Sequence, residues 1–172
     1  NGMLPSPILP RLSAVLWITH PSMNDLVLGI HPASRGFGWI LLESPRGPCE
    51  GGTMQISKDR NSTALLRINA LLNKYQPRFV VLESFEQPAS RRRSRTRYLC
   101  RSILRTADKQ GIAVHCISRD RVKAHLSAIT RKDAAVAVAD LIEPLKPRLP
   151  KPRNIWIGES LNMALFSAAA CA

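Results

Sequence analysis

The sequence predicts an α/β domain built on a mixed β-sheet flanked by helices. Three observations predict it. Short apolar runs at 26–30, 79–82 and 112–117 have the length and composition of strands buried on both faces. Longer segments between them carry apolar residues three and four apart, the period of an amphipathic helix. Three strand-like runs precede the first helical segment, so an antiparallel meander leads into parallel strands joined by helical crossovers.

Residues 1–24 stand apart from this pattern. They contain Pro5, Pro7, Pro10 and Pro21 and show no clear periodicity, which reads as an extension outside the core. Met23 sits just before the first convincing strand, so the domain is expected to span 25–172. Within it, the first strand covers 26–30. A turn at Pro32–Arg35 leads to a second strand over 36–42 (GFGWILL), and a third is expected over 51–57. Asn61 or Ser62 can cap a helix reaching Tyr75, with Leu65, Ile68, Leu71 and Leu72 on one face. Pro77 stops it before the strand that ends at Glu83. An Arg-rich segment then enters a helix over about 95–110, which Gly111 ends. After the strand at 112–117, helices are expected over 119–127 and 131–143. Four prolines at 144–153 predict an irregular loop, and a helix from about Glu159 closes the chain.

Composition narrows the function classes. The chain has 172 residues and 45% apolar content, enough for one core. No apolar run approaches the roughly 18–20 residues of a membrane span. The stretch LSAVLWI at 12–18 has prolines upstream and no A-x-A-like site after it, so no signal peptide is expected. Cys49, Cys100, Cys116 and Cys171 are widely spaced, which suggests free thiols in a reducing cytoplasm rather than zinc ligands or a disulfide framework. Lys and Arg number 25 against 12 acids, a net charge of +13. A field of that sign attracts polyanions, and nucleic acid is the expected partner. A merely basic protein, or one held at an anionic membrane surface, is the alternative that charge alone leaves open.

Three stretches carry a family resemblance. LGIHPASRGFGW at 28–39, VVLESFE at 80–86 and GESLNMALFSAAACA at 158–172 occur in an order and spacing that resemble the RuvC-type Holliday-junction resolvases of the RNase H-like superfamily. ISRDRVKAHL at 117–126, followed by RKDAAVAVADLI, is similar to that family's Arg-x-Val-Lys segment and next helix. The resemblance covers roughly 26–172 and implies an RNase H-like, RuvC-like sheet. It also implies a metal-dependent, structure-selective DNA endonuclease that works as a homodimer on branched or four-way-junction DNA.

The resemblance places four residues at the positions of the family's metal-binding acids: His31, Glu83, Glu159 and Asn162. The family's first strand ends in Gly-Ile-Asp-Pro, and His31 stands where that Asp would be. Residues three apart on a helix share a face, so Glu159 and Asn162 could point together. Two Mg²⁺ ions about 3.5–4 Å apart can activate water and stabilise the leaving oxygen of a phosphodiester. Mg²⁺ prefers carboxylate oxygens. Four acids would bring a charge of −4, whereas Glu83 and Glu159 bring −2, and an imidazole suits Mn²⁺ or another transition metal better. Three outcomes stay open: a nuclease with altered metal preference, a relic site on a nucleic-acid-binding protein, or compensation by Glu86, Asp25 or Glu43. Each residue also has a plainer role: His31 as a hydrogen-bonded strand end, Glu83 as a solvated one, and Glu159 as a first-turn acid on a helix.

The basic residues cluster around the same stretches. Arg91, Arg92, Arg93, Arg95 and Arg97 form the run RRRSRTR directly after the Glu83 strand, and arginines pair bidentately with phosphate. Arg35 lies in the turn after His31, and Lys123 and Lys132 fall in a second cluster with Arg119, Arg121 and Arg131. These are the expected nucleic-acid contacts, and a solvated charged face is their simpler alternative.

Overall fold

A computed structural model describes residues 25–44, 47–86, 93–151 and 160–172. The extension expected over 1–24 lies outside the described residues. Five strands, β1 (Val27–Ala33), β2 (Gly36–Ser44), β3 (Gly47–Gln55), β4 (Phe79–Glu83) and β5 (Ala113–Ile117), form one sheet in the order β3-β2-β1-β4-β5. β2 runs antiparallel to both β1 and β3, whereas β4 adds in parallel beside β1 and β5 in parallel beside β4. The helices are α1 (Arg60–Tyr75), α2 (Ser94–Lys109), α3 (Arg119–His125), α4 (Arg131–Leu141) and α5 (Asn162–Cys171). The mixed sheet flanked by helices is the expected architecture.

Side-chain alternation along the strands divides the core. Leu28 and Ile30 of β1, with Val80 and Leu82 of β4, face Ile68 and Leu72 of α1 and Leu99 and Ile103 of α2. The opposite face of β2 presents Ile40 and Leu42 to α4 and α5. Val81 meets Val122 of α3 and Cys171 of α5. Each fully buried large apolar side chain stabilises the fold by roughly 1.5–3 kcal/mol before entropy is counted.

Several boundaries differ from expectation for identifiable reasons. β1 runs on through Pro32 to Ala33, and the turn narrows to Ser34–Arg35. Pairing of β1 with β4 stops at Ile30 opposite Leu82, so Pro32 has a strand on one side only, where a missing N–H is tolerated. β3 starts four residues early, and its Pro48 is accepted because β3 is an edge strand. Neither Asn61 nor Ser62 caps α1. The cap position belongs to Asp59 in the left-handed region, with no side-chain hydrogen bond. The proline-rich stretch is regular in part, since Glu143–Arg148 forms a 3₁₀ turn. Pro144 sits at its start, where the N–H would lack an intrahelical partner in any case. The 119–127 and 131–143 helices end at His125 and Leu141. Among the described residues Cys116 is an exposed free thiol, and Cys100 and Cys171 are buried. No helix among them is long and apolar enough to cross a membrane.

Candidate functional site

His31 and Glu83 are the buried polar residues among those described, 5% and 7% exposed. Strand parity explains their meeting. Ile30 lies beside Leu82 in the parallel register, and both point into the α1–α2 core. The next residue of each strand therefore points to the other face, which puts His31 and Glu83 together at the carboxyl ends of parallel strands. His31 Nδ1 is 3.4 Å from Glu83 Oε2.

α5 closes over this face because the strands beneath carry glycine where it crosses. A methyl group at Gly38, which pairs with His31, would lie 2.2 Å from the Ala164 carbonyl carbon and the Leu165 nitrogen. One at Gly29 would lie 2.5 Å from the Ala168 oxygen. The helix backbone thus rests directly on the sheet. This seat turns Ser160, Leu161 and Ala164 toward a cavity of about 300 Å³ above His31. It turns Ser167 into a smaller cavity, about 30 Å³, that Glu83 also lines.

The charges around Glu83 are mostly positive. Arg119, at the start of α3, donates from Nε to Glu83 Oε1 at 2.9 Å, and its Nη2 lies 2.8 Å from the same oxygen. Arg131, at the start of α4, donates from Nη2 to Ser167 Oγ at 2.8 Å. Both arginines line both cavities, and Lys123 lines the smaller one. α3 and α4 hold these positions through their caps. Ser118 accepts from the Arg121 N–H, and Thr130 and Asp133 form a reciprocal capping box.

The structure brings together only part of the expected ligand set. His31 and Glu83 are adjacent. Glu159 lies outside the described residues. Asn162 belongs to a different network: its side-chain amide donates to the Arg148 carbonyl at 3.1 Å, and Arg148 donates to the Gly51 carbonyl at 2.9 Å. It ties α5 to the 3₁₀ turn and β3 and does not line either cavity at His31 and Glu83. The acids considered as substitutes are engaged or remote. Glu86 pairs with Arg101 at 3.3 Å, Asp25 pairs with Arg78, and Glu43 is exposed near the far end of the sheet.

A pair of hard divalent ions needs several carboxylate oxygens. The described residues supply one carboxylate here, with Arg119 on one of its oxygens, and the helix face opposite offers serine and alanine. No group of three or more His, Cys, Asp and Glu among the described residues could hold a metal ion. The described centre does not fit the two-ion arrangement.

The basic residues divide into two roles. Arg35 lines the larger cavity together with Thr96 of α2. Arg95 donates to the Ser34 carbonyl at 3.2 Å, and Arg60 donates to the same oxygen at 3.1 Å, so both fasten the β1–β2 turn. Arg93 is exposed ahead of α2, Arg97 is half-buried, and Lys132 is exposed on α4. Arg91 and Arg92 lie outside the described residues. Sequence reasoning placed Arg119 and Arg131 only in a general basic cluster, and it missed Ser167. The three-residue spacing from Glu159 drew attention to Asn162, whereas the phase of α5 on the sheet selects Ser167.

No protein-family model and no curated protein matches the sequence. Solved structures do match in fold. Thermus thermophilus RuvC superposes with a TM-score of 0.61 at 19% identity, over 84% of this chain and 92% of that one. T. thermophilus RuvC in complex with a Holliday junction substrate gives 0.63 at 20%, over 86% and 90%. The yeast mitochondrial Holliday junction resolvase Ydc2 gives 0.54 at 16%, over 86% and 76%. Five strands in this order, with α5 laid across the His31 face, give this chain the RuvC-like, RNase H-like fold.

Proposed function

We propose that this protein binds DNA, four-way or otherwise branched, in the cleft between the β1–β2 turn and the starts of α2, α3 and α4. The observation that carries the reading is the cavity of about 300 Å³ lined by His31, Arg35, Arg119 and Arg131, in which no described residue contributes a carboxylate. Guanidinium groups converging on a concave surface suit phosphate oxygens. The net charge of +13 draws a polyanion toward it. One solved structure of the same fold holds a Holliday junction substrate, which makes branched DNA the substrate class to test. A homodimer would match the two-fold symmetry of such a junction.

One observation favours a second reading, metal-dependent endonuclease. His31 and Glu83 sit side by side at the ends of β1 and β4, where this fold places functional groups. That reading needs Mg²⁺ or Mn²⁺ held at His31 and Glu83 with help from Glu159 and Asn162, and the described residues fit it poorly. Repair and recombination would be the setting of either activity.

One experiment separates the two. A labelled four-way junction is titrated with protein in chelator and, in parallel, in Mg²⁺ and Mn²⁺, with Glu83→Gln as control and linear duplex as competitor. The binding reading expects retarded complexes in chelator, no cutting, and preference for the junction. Affinity should fall steeply with salt, by about 0.9 logarithmic units per phosphate contacted for each tenfold rise. Cutting in Mn²⁺ that is lost in Glu83→Gln would establish the endonuclease instead. Equal affinity for linear duplex would remove the branched substrate.

A further inference from the structure

We propose that the centre of this fold is an oxyanion site that seats one phosphodiester group without a metal, with Arg119 and Arg131 as its ligands and Glu83 as the residue that positions Arg119. The inference deepens the DNA-binding reading by naming the group bound and the side chains that bind it.

Different charges line the two cavities. The larger cavity carries the guanidinium-bearing residues Arg35, Arg119 and Arg131, with His31, Thr96 and Ser160. All six can donate hydrogen bonds. Glu83 does not line this cavity and instead lines the small one beneath, in contact with Arg119. Among the described residues no carboxylate lines this cavity, so a divalent cation would meet guanidinium charge there, while a phosphate would meet donors of the matching sign.

Both guanidinium groups are held from behind. Glu83 fixes one edge of Arg119, and Ser167 accepts from Arg131. An anchored guanidinium loses less side-chain freedom when it binds, so its hydrogen bonds to a ligand cost less entropy. Glu83 therefore acts through Arg119, in the place where a carboxylate ligand would touch a metal. A cation site and an oxyanion site make opposite demands on this residue. The first loses its ligand in Glu83→Gln. The second loses a repelling charge, while the glutamine oxygen can still accept from Arg119.

The test titrates the full chain with inorganic phosphate, and separately with MnCl₂, by calorimetry at constant ionic strength. Chelator is present in the phosphate arm. Arg119→Gln and Arg131→Gln are expected to weaken phosphate about tenfold each. Arg105→Gln with Lys109→Gln, which removes two charges from exposed positions on α2, is expected to leave phosphate binding unchanged. Glu83→Gln is expected to tighten phosphate about fivefold. Arg119→Lys keeps the charge and stands in if Arg119→Gln does not fold, with a threefold or greater loss expected from its missing fork.

Phosphate weakened by Glu83→Gln, phosphate indifferent to Arg119 and Arg131, or Mn²⁺ uptake abolished by Glu83→Gln would each overturn the inference. A four-way junction titrated into the same variants separates this result from the broader reading. Phosphate held by these residues with no junction binding would sink DNA binding alone. Junction binding untouched by Arg119→Gln and Arg131→Gln would sink the oxyanion site alone.

Discussion

Arg119 meets one oxygen of Glu83 with two nitrogens, while the other oxygen faces His31 at 3.4 Å. A carboxylate 7% exposed is thus bracketed by a guanidinium and an imidazole. Removing the guanidinium takes the cationic partner from a buried carboxylate, which is costlier than losing a surface pair. Arg119's own side chain is 49% exposed, so solvent screening reduces the effect. Arg119→Gln should lower stability by about 1–2 kcal/mol in urea unfolding, and Glu83→Gln in the same chain should recover most of it. Two independent, additive losses would show that the pair is not coupled.

Gly38→Ala should destabilise more than a typical glycine replacement in a strand. The new methyl would meet helix backbone, which cannot swing aside as a side chain can. Overpacking of this kind costs about 1–3 kcal/mol, and the upper end is expected here. A thermal midpoint unchanged from the parent would mean that α5 does not rest on Gly38.

The start of α4 should respond to acid. Hydrogen bonds from the Thr130 backbone N–H and then its hydroxyl hold the Asp133 carboxyl below its ordinary value of 3.8. A carboxyl lowered by folding stabilises the native state above its unfolded value, and that contribution disappears as pH falls through the folded one. Wild-type stability should therefore drop more steeply below pH 3.8 than that of Asp133→Asn. Parallel acid-unfolding curves would refute this. Thr130→Ala, which removes the reciprocal partner, should cost about 1 kcal/mol at neutral pH.

Acids can be added where the geometry would use them. His31→Asp together with Ser167→Asp would surround Glu83 with carboxylates from β1 and α5. Mn²⁺ affinity should rise at least about tenfold over the parent, because hard and borderline ions favour carboxylate oxygen. Paramagnetic resonance of free Mn²⁺ measures it directly. No gain would show that Arg119 and Arg131 dominate the local field.

How much of this was legible depends on the kind of signal. His31 and Glu83 could be found because each ends an apolar run, and a parallel sheet collects strand ends on one edge. The order of strands and helices was legible for the same reason. β3 was placed too late because Gly47 and Pro48 read as turn residues, and an edge strand tolerates them. The partner on α5 was hidden more deeply. Its phase is set by Gly29 and Gly38, residues of other elements that a helical spacing argument does not include. The pairing of Arg119 with Glu83 joins residues on different elements, and no local pattern announces it.

The glycine seat of α5 also bears on how the chain folds. Strands β1 to β3 follow one another closely in the chain, and α1 and α2 cover one face from segments between the strands. The other face waits for a ten-residue helix that must close a loop across most of the domain. Such closure is slow to reach and gives little until it is complete. Docking of α5 is then the late event and its release the early one, so α5 amides should exchange with deuterium before those of β1. The cleft would be the last part of the molecule to assemble and the first to come apart.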